Sequence, residues 1–218
     1  TTKNILLHPF LEFVRSLLQV IEDNFSEEAM FRYLRCGLSQ ISEDEIDLLE
    51  NYVLAAGIRG KKKWEARFIY TTHEVTEEDL EALNELRIRV MEPFLELTAV
   101  FRKKGATVRE CTTALYQFIV SLQIEQQLKY RENQYKEAKD LAKAKEYAQI
   151  YRIVMDILDK MATLLGDEVM DISEYAKVLE AGFEAAKVGV IPGGYDCVMI
   201  GDIERTRLDD IKVLFIVG

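Results

Sequence analysis

Proline and glycine are scarce, with three and 11 in 218 residues. Both interrupt regular elements, so their scarcity argues against a turn-rich all-β fold and for long helices. Long apolar runs are missing too. No window approaches the ~18 uninterrupted apolar residues that a bilayer span requires. Residues 1–13 carry one lysine and a short apolar patch broken by Asn4 and His8, without the features of a secretion signal. Cysteine is limited to Cys36, Cys111 and Cys197, far apart and in no C-x-x-C spacing. That usage suits reduced thiols in a cytoplasmic protein, as small core residues rather than ligands. The two histidines, His8 and His73, sit outside any ligand spacing and are expected at the surface or its boundary.

Catalytic signatures are also absent. There is no G-x-x-x-x-G-K-[ST] loop; Gly57-Ile58-Arg59-Gly60-Lys61 is superficially similar, but the spacing differs and Ser/Thr is missing. No G-x-G-x-x-G, G-x-S-x-G, H-E-x-x-H or EF-hand pattern occurs. The many acidic residues fall mainly on helix faces and in caps, which reads as solvation and capping rather than a nuclease cluster.

What remains is ordinary for a globular chain: 49% hydrophobic and 30% charged residues, with a formal net charge of -10. Phosphate neutralisation dominates non-specific nucleic-acid binding, so a chain this acidic would contact DNA only through a local patch or through partner domains.

Start and stop signals divide most of the chain into helices. Pro9 suits a first helical position ahead of Phe10, Phe13, Val14, Leu17, Leu18 and Ile21 at helical spacing. Ser26 can cap a helix that ends at Gly37. Ser42 with Glu45, and Thr107 with Glu110, form capping boxes, and Gly57 is a natural stop. Thr76 opens a long amphipathic helix in which Pro93 is expected to make a kink and which Gly105 closes. From Glu125 to Glu146 the pattern turns polar and suggests a solvated helix or hairpin tip. An apolar stripe resumes at Tyr147 and stops at Gly166, and a short helix is expected from Ser173 to Lys187. After Gly189, Ile191-Pro192-Gly193-Gly194 reads as a turn, and residues 197–200 and 213–217 read as short strands. One or two strands make no stable sheet alone, so they are expected to be the edge of a larger one.

Two features rise above this background. The first is the basic connection Arg59, Lys61, Lys62, Lys63 and Arg67 around Trp64, the one tryptophan. Such a mixture could grip a phosphate backbone and stack on a base; equally, it could be a solvated loop whose Trp anchors it to the core. The second is Gly201 to Asp210, in which Arg205 and Arg207 are spaced to meet backbone phosphates or to form an ion-paired loop.

Several passages carry a likeness, in order along the chain: Phe31 to Gly37; Leu49 to Ala55 followed by Gly57-Ile58-Arg59-Gly60 and Trp64; Leu179 to Phe183; Ile191-Pro192; Gly201 to Leu208; and Val213 to Gly218. Together they resemble the middle of the B subunit of the bacterial ATP-dependent helicase/nuclease, the AddB type. The resemblance implies a UvrD-like superfamily 1 architecture. It is mostly α, with residues 1–189 as a helical 2B-like insertion domain and 190–218 as a short β segment re-entering an incomplete RecA-like 2A domain. Helicases of this kind carry T-x-H-x-A-K-G-L-E before that re-entry strand. Setting the strand on Leu214 to Gly218 puts Arg207 at the Lys and Asp210 at the Glu. Leu208 holds the Gly position and the His has no equivalent, so the motif is degenerate.

The resemblance further implies a protein that pairs with a motor A subunit, resects double-strand breaks and helps recognise a recombination hotspot. ATP, magnesium and an iron–sulfur cluster belong to the family, and all are sited elsewhere in the intact protein, so no cofactor is expected in this segment. The expected role is a non-catalytic one, guiding DNA or packing against the motor, with Arg59, Lys61, Lys62, Lys63, Trp64, Arg205 and Arg207 as DNA-contact candidates. A stand-alone helical protein-interaction module without DNA contact is the alternative.

Overall fold

The structure is a computed structural model and describes residues 5–71 and 75–189. His73, Cys197, Arg205, Arg207, Asp210 and the expected C-terminal strands lie outside the described residues. Among those described, a 3-10 turn (Ile5–Leu7) is followed by α1 (Pro9–Glu22), α2 (Glu27–Leu34), α3 (Glu43–Ala56), α4 (Lys61–Glu65) and α5 (Glu77–Met91). Then come α6 (Phe94–Arg102), α7 (Val108–Ser121), α8 (Ile124–Glu137), α9 (Leu141–Leu164) and α10 (Ile172–Gly189).

The helix starts follow from side chains that satisfy orphan backbone N–H groups. Ser42, Thr76 and Thr107 each accept from the backbone three residues on, while Glu45, Asp79 and Glu110 reach back to close the box. Ser26 caps α2 through the Ala29 N–H. At Pro93 the hydrogen-bonded ladder is interrupted: α5 ends at Met91 and α6 starts at Phe94, while Glu92 and Pro93 themselves keep right-handed helical backbone.

The polar stretch from Glu125 is a two-helix hairpin. Helices α8 and α9 pack along each other and are divided at Lys139, in left-handed backbone (φ 59), and Asp140, which caps α9. Its polar sequence is compatible with packing because Glu132, 4% exposed, is held between Lys129 (2.8 Å) and Lys136 (2.5 Å). The hairpin is fixed to the turn after α2 by Gln127, donating to the Leu38 carbonyl, and by Arg131, donating to the Gly37 carbonyl; Gln127 also donates to the Leu122 carbonyl at the end of α7.

One contiguous apolar core runs from Leu6 to Phe183. At its centre, Phe13 of α1, Tyr33 of α2, Phe94 of α6 and Phe118 of α7 stack edge-on or tilted, with centroids 5.0–6.1 Å apart. Helix α10 closes the body against α1 and α9. Arg15 holds it by a two-pronged pair to Glu180, both contacts at 2.8 Å, with the guanidinium over the Phe183 ring.

His8 is not a surface residue. It is 1% exposed, caps α1 by accepting from the Phe10 N–H at Nδ1, and meets the Tyr147 ring at 4.5 Å. Cys111 is a buried free thiol and Cys36 a half-buried one that donates to the Arg32 carbonyl.

Candidate nucleic-acid interface

The connection from Gly57 to Phe68 is short, basic and partly helical. Gly57 ends α3 in left-handed backbone (φ 61), and Gly60, at φ 82, starts α4. The α4 segment carries three successive lysines, and its one apolar side chain, Trp64, points inward. The indole is 0% exposed and packs against Phe31 (6.3 Å) and Phe68 (6.2 Å). Its ring therefore offers no face to a base: here Trp64 is the anchor that pins α4 to the core. The indole Nε1 has no hydrogen-bond partner among the described residues.

With Trp64 inside, the lysines are turned outward to differing degrees. Lys61 is half-buried and pairs with Glu65 one turn on, at 2.8 Å. Lys63 folds back and donates to the Gly57 carbonyl, also at 2.8 Å. Arg59 and Lys62 are exposed and have no ion-pair partner among the described residues. Arg67, on the far side of Trp64, is paired with Glu81 of α5.

The turn between α1 and α2 completes the site, and no spacing in the sequence marks it. Asn24 and Phe25 both adopt left-handed backbone, at φ 51 and 60. For phenylalanine that conformation is a genuine outlier. It persists because the Phe25 ring is fully buried against Phe94 and its N–H reaches the Val20 carbonyl at 2.6 Å. The Phe25 carbonyl accepts from the Gly60 N–H, which ties the turn to the start of α4. Glycine is favoured at position 60 by its φ of 82°, and a Cβ there would also sit 3.3 Å from the Asn24 amide nitrogen, close enough to make that side chain shift slightly. Arg102, the last residue of α6, donates to Asn24 Oδ1 at 2.8 Å across 78 residues of chain.

Asn24, Arg59, Gly60, Lys61, Lys62, Glu65 and Arg102 thereby line one open cleft of about 370 Å3. Four cations face one carboxylate there, in a chain whose net charge is -10. A second cleft, of about 440 Å3, lies between the turn after α2 and helices α5–α7. Its charges are mixed: Arg89 is engaged by Glu45 and the Gln40 carbonyl, and Glu92 and Glu96 line the same wall.

Among the described residues, no group of three or more His, Cys, Asp or Glu is arranged to hold a metal ion, and no helix is long and apolar enough to cross a membrane.

No family model matches the chain. Curated proteins do match it. The B subunit of the ATP-dependent helicase/deoxyribonuclease of Lachnoclostridium phytofermentans is 46% identical over 223 aligned residues, covering 99% of this chain and 19% of that protein. Proteins of the same name from Clostridium novyi and Alkaliphilus metalliredigens are 38% and 37% identical, again over 99% of the chain and over 19% and 20% of their own lengths. The chain is homologous to an internal segment of these B subunits. It spans about a fifth of the length of the B subunits it matches. With 99% of the chain aligned, both the helical body and the basic turn fall inside the region shared with the B-subunit family.

Proposed function

We propose that this segment is the helical 2B-like part of a helicase/nuclease B subunit and that it guides DNA without performing catalysis. Three observations support the reading. The homology to proteins named helicase/deoxyribonuclease runs along 99% of the chain. The described residues are helical and form one core. Among the described residues, the basic turn leaves Arg59 and Lys62 exposed and without an ion-pair partner, on a chain whose net charge otherwise repels polyanions. The observation that carries the DNA contact is this concentration of unpaired cations at one concave place.

In this reading the whole protein works with a motor A subunit on DNA ends, in recombinational repair within the cytoplasm. ATP hydrolysis, magnesium-dependent cleavage and the iron–sulfur cluster are sited elsewhere in the assembly. Residues 190–218 re-enter a RecA-like domain, where Arg205 and Arg207 would meet the DNA backbone and Arg207 and Asp210 stand at the degenerate helicase motif. Arg59, Lys61, Lys62 and Lys63 act on phosphates and so carry no sequence information. Trp64 holds their platform.

The test is DNA binding by the assembled full-length protein carrying Lys61→Gln, Lys62→Gln and Lys63→Gln together. Affinity should fall by a similar factor on every sequence. The melting temperature should fall only slightly, because the changes remove one surface ion pair, Lys61 to Glu65, and one surface hydrogen bond, Lys63 to the Gly57 carbonyl, each worth on the order of 1 kcal/mol or less. Unchanged affinity would make the turn a solvated connector.

A further inference from the structure

The cleft at the start of α4 is more specific than a charged surface. Arg102 cannot accept a hydrogen bond, so the Asn24 atom facing it must be the amide oxygen, and the Asn24 NH2 is left turned toward Gly60. The guanidinium uses one donor on Asn24 and keeps the others. Lys62 and Arg59 contribute further donors with no partner among the described residues, and the one carboxylate in the lining, Glu65, is already taken by Lys61. The cleft thus presents donors from three separate parts of the chain, the turn between α1 and α2, the end of α6 and the start of α4. It has no exposed aromatic in its lining, because Trp64 is buried. Donors in such excess select an anion, and cations without a stacking face select a backbone rather than a base.

We infer that Arg102 and the Asn24 amide, with Arg59 and Lys62, form a subsite for a DNA phosphodiester, read without regard to the base, Lys61 neutralising Glu65 beside it. This rests on the DNA-guiding role and adds to it the residues and the ligand group. Arg102 is the central donor, and Asn24 sets the guanidinium plane. The strained turn at Asn24 and Phe25 and the glycine at position 60 bring the three elements to the lining of one cleft.

The experiment compares two single strands of equal length, oligothymidylate and an abasic phosphodiester strand, bound to the assembled full-length protein at about 0.1 M salt. Arg102→Gln should weaken both strands by the same factor, roughly fivefold for one phosphate contact on a single strand. Asn24→Asp keeps the acceptor for Arg102 and tolerates the left-handed backbone, yet places a negative charge in the cleft. It should therefore weaken binding at least as much while the melting temperature holds or rises. A merely structural Asn24–Arg102 contact would leave binding unmoved in that variant. Wild-type binding to both strands with neither variant changed overturns the subsite and spares the DNA-guiding role. A loss on oligothymidylate alone overturns it in favour of base contact. Normal DNA binding with impaired assembly would assign the cleft to a protein carboxylate instead. No DNA binding by the wild-type assembly overturns both the subsite and the role it rests on.

Discussion

Trp64 shows how one side chain can be read two ways until its neighbours are known. Among lysines and arginines, a tryptophan is as suited to stacking on a base as to anchoring a loop, and composition does not separate the two. The deciding fact is the pocket made by Phe31 and Phe68, which takes the whole indole. Trp64→Ala should cost about 3–5 kcal/mol, as truncation of a buried aromatic does. Trp64→Phe should cost far less, because it keeps most of the apolar contact and removes an N–H without a partner among the described residues. In the assembled protein, Trp64→Phe should bind DNA as the parent does; impaired binding by this folded variant would put the ring in contact with DNA. His8 is equally opaque in the sequence, since its burial depends on Tyr147, far along the chain. Burial, and then the positive charge of Arg131, lowers its pKa from 6.5 to about 4. The unfolded chain therefore binds a proton more readily, and the contribution is complete above about pH 6.5 and lost as pH falls toward 4. Between pH 7.5 and 5 this one residue should remove roughly 2 kcal/mol of stability. Denaturant unfolding of His8→Asn, which retains a capping side chain, should show a correspondingly flatter pH dependence over that interval. An unchanged dependence would contradict the assignment.

Helices are legible in the sequence where a cap and an apolar stripe coincide. Pro9, Ser42 with Glu45, Thr76 and Thr107 with Glu110 all mark observed starts, because the chemistry that satisfies a helix end is local. Elements decided by tertiary contacts are less legible. Helix α4 has no periodicity to show and exists because Trp64 is held, while the division between α8 and α9 turns on one left-handed lysine. The close seating of α10 is hidden as well. Gly182 lies against Ile157 of α9, and a Cβ added there would stand 2.7 Å from Ile157 Cγ2. Gly182→Ala should therefore destabilise by about 1–3 kcal/mol, as overpacking does, in spite of alanine's better helix propensity. Shortening the neighbour with Ile157→Ala in the same chain should then cost less than the sum of the two single changes. Strict additivity in thermal unfolding would show that α10 does not pack there.

At the scale of the whole molecule, the helical class and the family likeness are readable because both are spread over many residues. The cleft is only half readable. Arg59, Lys61 and Lys62 are neighbours in sequence, but Asn24 and Arg102 join them only through a core that folds α1, α2 and α6 around Phe25 and Phe94. A chain of net charge -10 has one such place to offer a polyanion among its described clefts, and the DNA-guiding role depends on its being used. The most direct measurement is the salt dependence of DNA binding by the assembled full-length protein, with and without the three lysine neutralisations. For each phosphate that the variant no longer neutralises, the slope of log K against log salt should flatten by about 0.7 on single strands and about 0.9 on duplex, equally for all sequences. Identical slopes and affinities for parent and variant would contradict a DNA path over this turn.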